Sequence, residues 1–219
     1  MRIAIIGTGS VGRTLARGLR GVGHDVVVGT RDPDETGRRE EWVGVEMPLR
    51  SLETVAADAD LVVNATNGLS SLAALGVVGS DLLAGKVVLD VSNPLDSSQG
   101  FPPTLGVKDT DSLAEQIQRA FPEARVVKSL NTVTASVMID PGSVGDGDTT
   151  IFAAGDDPEA RRQVVGLLRE LGWKDIIELD GLQNARGLEM WLPLWVRLMV
   201  ALGTGEFNIK VVRPGEIAQ

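Results

Sequence analysis

Three glycines spaced as Gly7-x-Gly9-x-x-Gly12 follow directly on the apolar run Ile3-Ala4-Ile5-Ile6. Backbone with that spacing can cradle a pyrophosphate. Gly7 permits a tight turn, Gly9 leaves no Cβ between backbone and phosphate, and Gly12 lets the next helix pack on its strand. Thr8, Ser10 and Val11 complete the loop. The helix that follows is read from Val11, Leu15, Leu19 and Val22, which share one side. Its free N–H groups and positive dipole end then face the phosphates. A second strand, Asp25 to Gly29, returns from a stop at Gly21 and Gly23. A glycine-rich turn that binds nothing is the bland alternative. The strand before and the helix after argue instead for a bound dinucleotide.

The choice of dinucleotide falls at the end of the second strand. Proteins that prefer NAD place an acid there for the ribose 2′-hydroxyl, whereas this chain reads Gly29-Thr30-Arg31-Asp32-Pro33. Thr30 offers a hydroxyl and Arg31 a planar cation, which suits a 2′-phosphate. Asp32 is the rival ribose ligand, but Asp32-Pro33-Asp34-Glu35 also reads as a helix N-cap with Pro at the first helical position. NADP(H) is therefore expected over NAD(H).

Other small polar groups fall where further strands should end: Ala65-Thr66-Asn67-Gly68, Ser92-Asn93-Pro94 and Asn131-Thr132-Val133-Thr134-Ala135. The absences limit their chemistry. With no cysteine there is no disulfide, thiolate nucleophile or zinc cluster. With no tyrosine there is no Tyr/Lys acid–base pair. The single histidine, His24, sits in the turn before the second strand, at the wrong end of the sheet for chemistry. No metal site is expected. The one candidate acid is Lys128, for which a structural place on a strand at the sheet edge is the simpler reading. A reaction that asks little proton transfer of side chains fits best.

Near-continuous apolar strands alternate with helices, the mark of a parallel sheet covered on both faces. After a short polar helix from Asp32, strands are expected near Val43–Leu49, Asp60–Thr66, Lys86–Val91 and Ala124–Leu130. Helices are expected from Leu52 to Ala57, from Leu69 to Leu83 with breaks at Gly76 and Gly79, and from an Asp111 or Ser112 cap to Phe121. Residues 92–110 are aperiodic and leave the ligand edge, which suits a cover over the reactive end of the cofactor. Beyond Pro141-Gly142 come a strand at Thr149–Ala154, a helix from Asp157 to Leu171 and a strand at Asp175–Leu179. A helix from Asn184 to Leu202 closes the chain, apolar nearly all round and kinked at Pro193. The fold class is α/β: a Rossmann-type doubly wound parallel sheet with a small C-terminal α/β lobe ending in a long apolar helix. Residues 1–145 form the dinucleotide-binding domain, and residues 146–219 form the small lobe that completes the acceptor site.

The 219 residues carry 43% apolar and 23% charged side chains and a net charge of −9. Such a chain builds an ordinary globular core and offers no basic surface to nucleic acid or anionic membrane. A strand beginning near Met1 leaves no room for a signal peptide, so a cytoplasmic enzyme is expected.

Taken together, the glycine loop, Thr30-Arg31, Lys128-x-x-Asn131-Thr132 and the tail Glu189-x-x-x-Pro193-Leu194…Gly203-x-Gly205-Glu206-Phe207-Asn208-Ile209-Lys210 make a pattern. It resembles the NADP-dependent reductases of the deazaflavin coenzyme F420, a domain also found in the cytoplasmic part of six-transmembrane metalloreductases. The resemblance covers nearly the whole chain. It implies NADP(H) on the glycine loop, its 2′-phosphate at Thr30 and Arg31, and the deazaflavin stacked on the nicotinamide as hydride partner. It places Asn131, Met190 and Leu192 where the family sets a His, a Ser and a Thr around that ring. Asn131 then polarises the acceptor ring, Thr66, Asn93 and Pro94 shape the nicotinamide pocket, and Val133 and Ala135 floor it. Met190 and Leu192 lack hydrogen-bonding groups, so an ordinary flavin, an imine, a carbonyl or a non-catalytic NADP(H) sensor stay open as alternatives. The apolar final helix, with Trp191 and Trp195, is expected to form a homodimer.

Overall fold

The computed structural model describes residues 1–214. β1 (Arg2–Ile6), α1 (Ser10–Gly21) and β2 (Asp25–Thr30) make the opening strand–helix–strand unit. α2 (Pro33–Arg38), β3 (Leu49–Ser51), α3 (Leu52–Val55) and β4 (Leu61–Asn64) follow, then α4 (Ser71–Val78), α5 (Ser80–Leu83) and β5 (Val87–Asp90). A two-residue antiparallel pair, β6 (Leu95–Asp96) and β7 (Thr104–Leu105), ties the base of the long loop. The chain continues through α6 (Leu113–Ala120), β8 (Arg125–Ser129), α7 (Ala135–Ile139), β9 (Thr150–Gly155), α8 (Pro158–Glu170) and β10 (Asp175–Asp180). It ends in α9 (Ala185–Met190) and α10 (Leu192–Leu202), after which the tail runs back along the start of β9.

One eight-stranded sheet runs in the order β3-β2-β1-β4-β5-β8-β9-β10. Every pairing is parallel except β8 with β9. Side chains alternate between its faces with the strand period of two. Ile3 and Ile5 join Leu15 and Leu19 of α1, Val137 of α7 and Val164 of α8 on one side. Ala4 and Ile6 join Val55 of α3, Leu75 of α4, Ile117 of α6 and Ala185 of α9 on the other. Two apolar cores flank the sheet, which is the doubly wound α/β arrangement expected. β9 and β10, from the C-terminal part, extend this same sheet.

The register aligns Ile6 with Gly29 and with Asn64, Asn64 with Asp90, and Asp90 with Lys128. The carboxyl ends of the strands therefore meet at one edge. The strand order reverses there between β1 and β4, and such switch points are where ligands bind.

Several local expectations are corrected. The third strand is confined to Leu49–Ser51, because Glu40–Trp42 form a 3-10 turn that drives Trp42 into the core. The helix through residues 71–83 breaks only at Gly79, at φ 92°, while Gly76 stays inside α4. β8 is no edge strand: it lies between β5 and β9, so Lys128 is buried in the middle of the sheet. The closing helix is divided at Trp191, with Pro193 in the first turn of α10. It is also not fully buried, since Leu194, Val200 and Leu202 are 50%, 60% and 57% exposed.

Candidate functional site: a cleft at the strand ends

The glycine loop is built by close approaches. Gly7 takes φ 127°, and a Cβ on it would stand 2.4 Å from the Ala65 carbonyl oxygen. A Cβ on Gly12 would meet the Gly7 oxygen at 2.1 Å, so α1 leaves its strand at a distance no other residue allows. Gly9, by contrast, opens on free space and supplies no side-chain cap to α1. The first-turn N–H groups of α1, at Ser10, Val11 and Gly12, are left to an outside acceptor. Arg13 and the Trp42 indole both donate to the Thr8 carbonyl, at 3.1 and 3.2 Å, and hold the loop in place. These features fit a dinucleotide pyrophosphate.

At the adenosine end, Asp32 caps α2 by accepting from Glu35 N at 2.8 Å, the cap expected from its sequence. Arg39 pairs with Glu35, whereas Arg31 is exposed and forms no ion pair among the described residues. Thr30 is buried, and its hydroxyl is tied to Thr36 at 2.7 Å. It therefore steadies the corner, while the Arg31 side chain stands open to solvent beside it.

Beside the loop lies a cleft of about 330 Å³. It gathers Ser10, Val11, Ala65, Thr66, Asn67, Asn93, Asn131, Val133 and Ala135 from four strand ends. Pro94 is buried behind it and Thr132 faces away, its carbonyl accepting from the Trp191 indole at 3.3 Å. Leu192 lines the cleft, whereas Met190 lines a separate groove with Pro102, Leu105 and Arg197. Ser92 and Gly68, expected at the strand ends, also line it, whereas sequence reasoning missed Met138 and Trp195. Nothing local marked them: they arrive from a core helix and from the closing helix, by tertiary packing alone.

The polar groups of the cleft are wired together. Asn64 donates to Asp90 at 2.9 Å and Thr66 donates to Asn64 at 2.8 Å. Ser92 donates to the Thr66 carbonyl at 3.0 Å. Leu130 takes the uncommon φ of 62°, a turn that delivers Asn131 to the ligand edge. Asn131 is only 2% exposed. Its Nδ2 donates to Asn93 Oδ1 and to the Leu188 carbonyl, both at 2.9 Å, and Asn93 Nδ2 donates back to the Asn131 carbonyl. Both amide hydrogens of Asn131 are thus committed, and the expected free donor is corrected. What it has to spare is its oxygen, which has no partner.

Behind the cleft, the Lys128 ammonium donates to Asp90 at 2.7 Å, contacts Glu189 at 3.0 Å and donates to the Ser92 carbonyl. Burial opposes the charge, but Asp90 and Glu189 outweigh it and hold the Lys128 pKa above the ordinary lysine value. Burial pushes Glu189 above the usual carboxylate range, against the pull of Lys128. Glu189 also accepts from Leu113 N and Ala114 N, at 2.8 and 3.2 Å, and so caps α6. Lys128, fully buried and with each proton engaged, cannot serve as a general acid.

The family model described as NADP oxidoreductase, coenzyme F420-dependent, matches residues 2–94. A crystal structure of a candidate F420-dependent NADP reductase from Arthrobacter sp. FB24 is 52% identical, with a TM-score of 0.95 over 97% of this chain and 100% of that one. The chain belongs to the coenzyme F420-dependent NADP oxidoreductase family. The F420-dependent NADP reductase of Methanocaldococcus jannaschii is 28% identical over 94% of this chain and 96% of its own. The metalloreductase STEAP3 of Rattus norvegicus is 30% identical, and the chain spans 39% of its length. Within this NADP oxidoreductase family, the glycine loop and the cleft are the parts just described. No helix among the described residues is long and apolar enough to cross a membrane, and no cluster among them could hold a metal ion.

Proposed function

We propose that this protein transfers a hydride between NADP(H) and the deazaflavin coenzyme F420. The observation that carries the reading is the make-up of the cleft: none of the side chains lining it is titratable. When bound, NADPH supplies a hydride that the deazaflavin ring accepts. The chain's work is to hold two rings at reacting distance and to exclude water.

Gly7, Thr8, Gly9, Ser10, Val11 and Gly12 hold the pyrophosphate at the start of α1, and Arg31 beside Thr30 holds the 2′-phosphate. Ala65, Thr66 and Asn67 with Asn93 and Pro94 flank the nicotinamide. Val133 and Ala135 floor it, Thr132 supports that floor, and Asn131 stands at the reacting end. Leu192 and Trp195 wall the acceptor side. On this reading the chain works as a dinucleotide-binding part, residues 1–145, and a part completing the acceptor site, residues 146–219. The reading includes a cytoplasmic location and a homodimer joined through α10. The enclosure of Lys128 weighs against carbonyl or imine reduction, which would need a proton donor at the cleft.

Anaerobic oxidation of NADPH against F420, flavins, imines and carbonyls tests the assignment. F420 is expected to be reduced fastest. Faster reduction of an imine or carbonyl would overturn it, and tight NADPH binding with no acceptor reduced would favour a sensor.

A further inference from the structure

Hydrogen-bond accounting in the cleft leaves two polar atoms over. Asn131 Oδ1 and Trp195 Nε1 are buried without partners, and both side chains line the same cleft. The other such atoms among the described residues, on His24, Thr132, Thr149 and Arg161, belong to residues outside its lining. Folded proteins leave few buried polar groups unpaired, because each forfeits its hydration for nothing. An acceptor and a donor left together in one cleft point to a ligand that supplies both partners.

Both groups are fixed. Exchanging the oxygen and nitrogen of Asn131 would set Oδ1 against the Leu188 carbonyl oxygen, so the amide cannot turn round. The Trp195 ring is stacked on Phe207, with centroids 5.4 Å apart and an interplanar angle of 22°. The segment carrying Phe207 is tied to β9: Thr150 N donates to the Ile209 carbonyl at 2.8 Å, and Asn208 Nδ2 donates to the Thr150 carbonyl at 3.1 Å.

We infer that Asn131 Oδ1 and Trp195 Nε1 together recognise an amide or imide edge, the ligand's N–H donating to Asn131 and its C=O accepting from the indole. Resting on the proposed reaction, the inference has two sources for that edge: the nicotinamide carboxamide and the imide ring of the deazaflavin. A simple carbonyl substrate lacks the N–H and a simple imine lacks the C=O, so the pair also selects between acceptor classes.

Calorimetric titration of the wild type and of Trp195→Phe separates these sources. The phenyl ring keeps an aromatic partner for Phe207 while removing the indole N–H together with part of the cleft wall, so the analogue pairs, which change the ligand alone, identify the hydrogen bond. The ligands are NADP⁺, its 3-acetylpyridine analogue, and, on NADP⁺-saturated protein, 5-deazariboflavin and its N3-methyl derivative. One of the two analogues is expected to bind the wild type about tenfold more weakly than its parent. Trp195→Phe is expected to weaken that same parent about fivefold or more. 2′,5′-ADP, which reaches only the adenosine end, is expected to bind both proteins alike and so to report an intact fold. The inference is overturned if each analogue matches its parent and Trp195→Phe binds every ligand as the wild type does. These readouts are affinities, so failure of F420 to turn over would strike the proposed reaction without touching the carboxamide arm.

Discussion

Arg31 and Lys128 show how differently two cations of one chain are used. Arg31 stands exposed beside an acid already spent on capping α2. Arg31→Ala should weaken NADPH by about 1.5–3 kcal/mol, the range for a charged hydrogen bond, and leave NADH nearly unchanged; fluorescence titration of both nucleotides checks it, and equal losses would refute the 2′-phosphate role. Lys128 is buried between Asp90 and Glu189. Lys128→Met should cost about 3–5 kcal/mol of stability, because it leaves two carboxylates in the core without their cation. A denaturant midpoint close to the wild-type value would mean that water reaches the pair. Sequence alone could not tell these cases apart. A lysine in an apolar strand reads as an edge residue until the order β5-β8-β9 places it at the centre of a sheet. The hydroxyl of Thr30 read as a ligand for the same reason: its partner Thr36 sits on the next helix.

At the scale of elements, the opening strand–glycine–helix unit was legible because its cause is local: a chain that turns at Gly7 and packs at Gly12 has few other courses. The capped helices at Asp32, Ser112 and Asp157 were legible for the same reason, each cap accepting from the backbone three residues on. The third strand was not, because Trp42 is pulled inward to bond the Thr8 carbonyl and residues 43–48 loop round it. The closing helix was legible as apolar but not as divided between two environments. Its buried side, Leu192 and Val196, meets the cleft and the core, while Leu194, Val200 and Leu202 face outward. In the proposed homodimer a second copy would cover that outward side. Sedimentation at micromolar concentration should find a dimer, and the double variant Leu194→Asp, Val200→Asp should sediment as a monomer. A wild-type monomer would show that this side is left to solvent.

Across the whole molecule, residues from near the two ends of the chain, Ser10 and Trp195, meet in one cleft at the carboxyl edge of the sheet. The glycine loop contributes Ser10 and Val11 at the start of α1, and α10 contributes Leu192 and Trp195. Sequence located the first end by its spacing and most of the middle by its strand ends. Asn131 was located too, though with the sense of its hydrogen bonding reversed, since its direction depends on Asn93 and on the Leu188 carbonyl. The central claim is that this cleft passes a hydride directly from one ring to another with no side-chain acid. Its most direct test is anaerobic single turnover of NADPH deuterated at the transferring position with oxidised F420, followed by mass spectrometry of the reduced coenzyme. The account predicts one deuterium retained in the reduced F420 and none released to solvent. A reduced F420 without the label, or a label found in water, would contradict it.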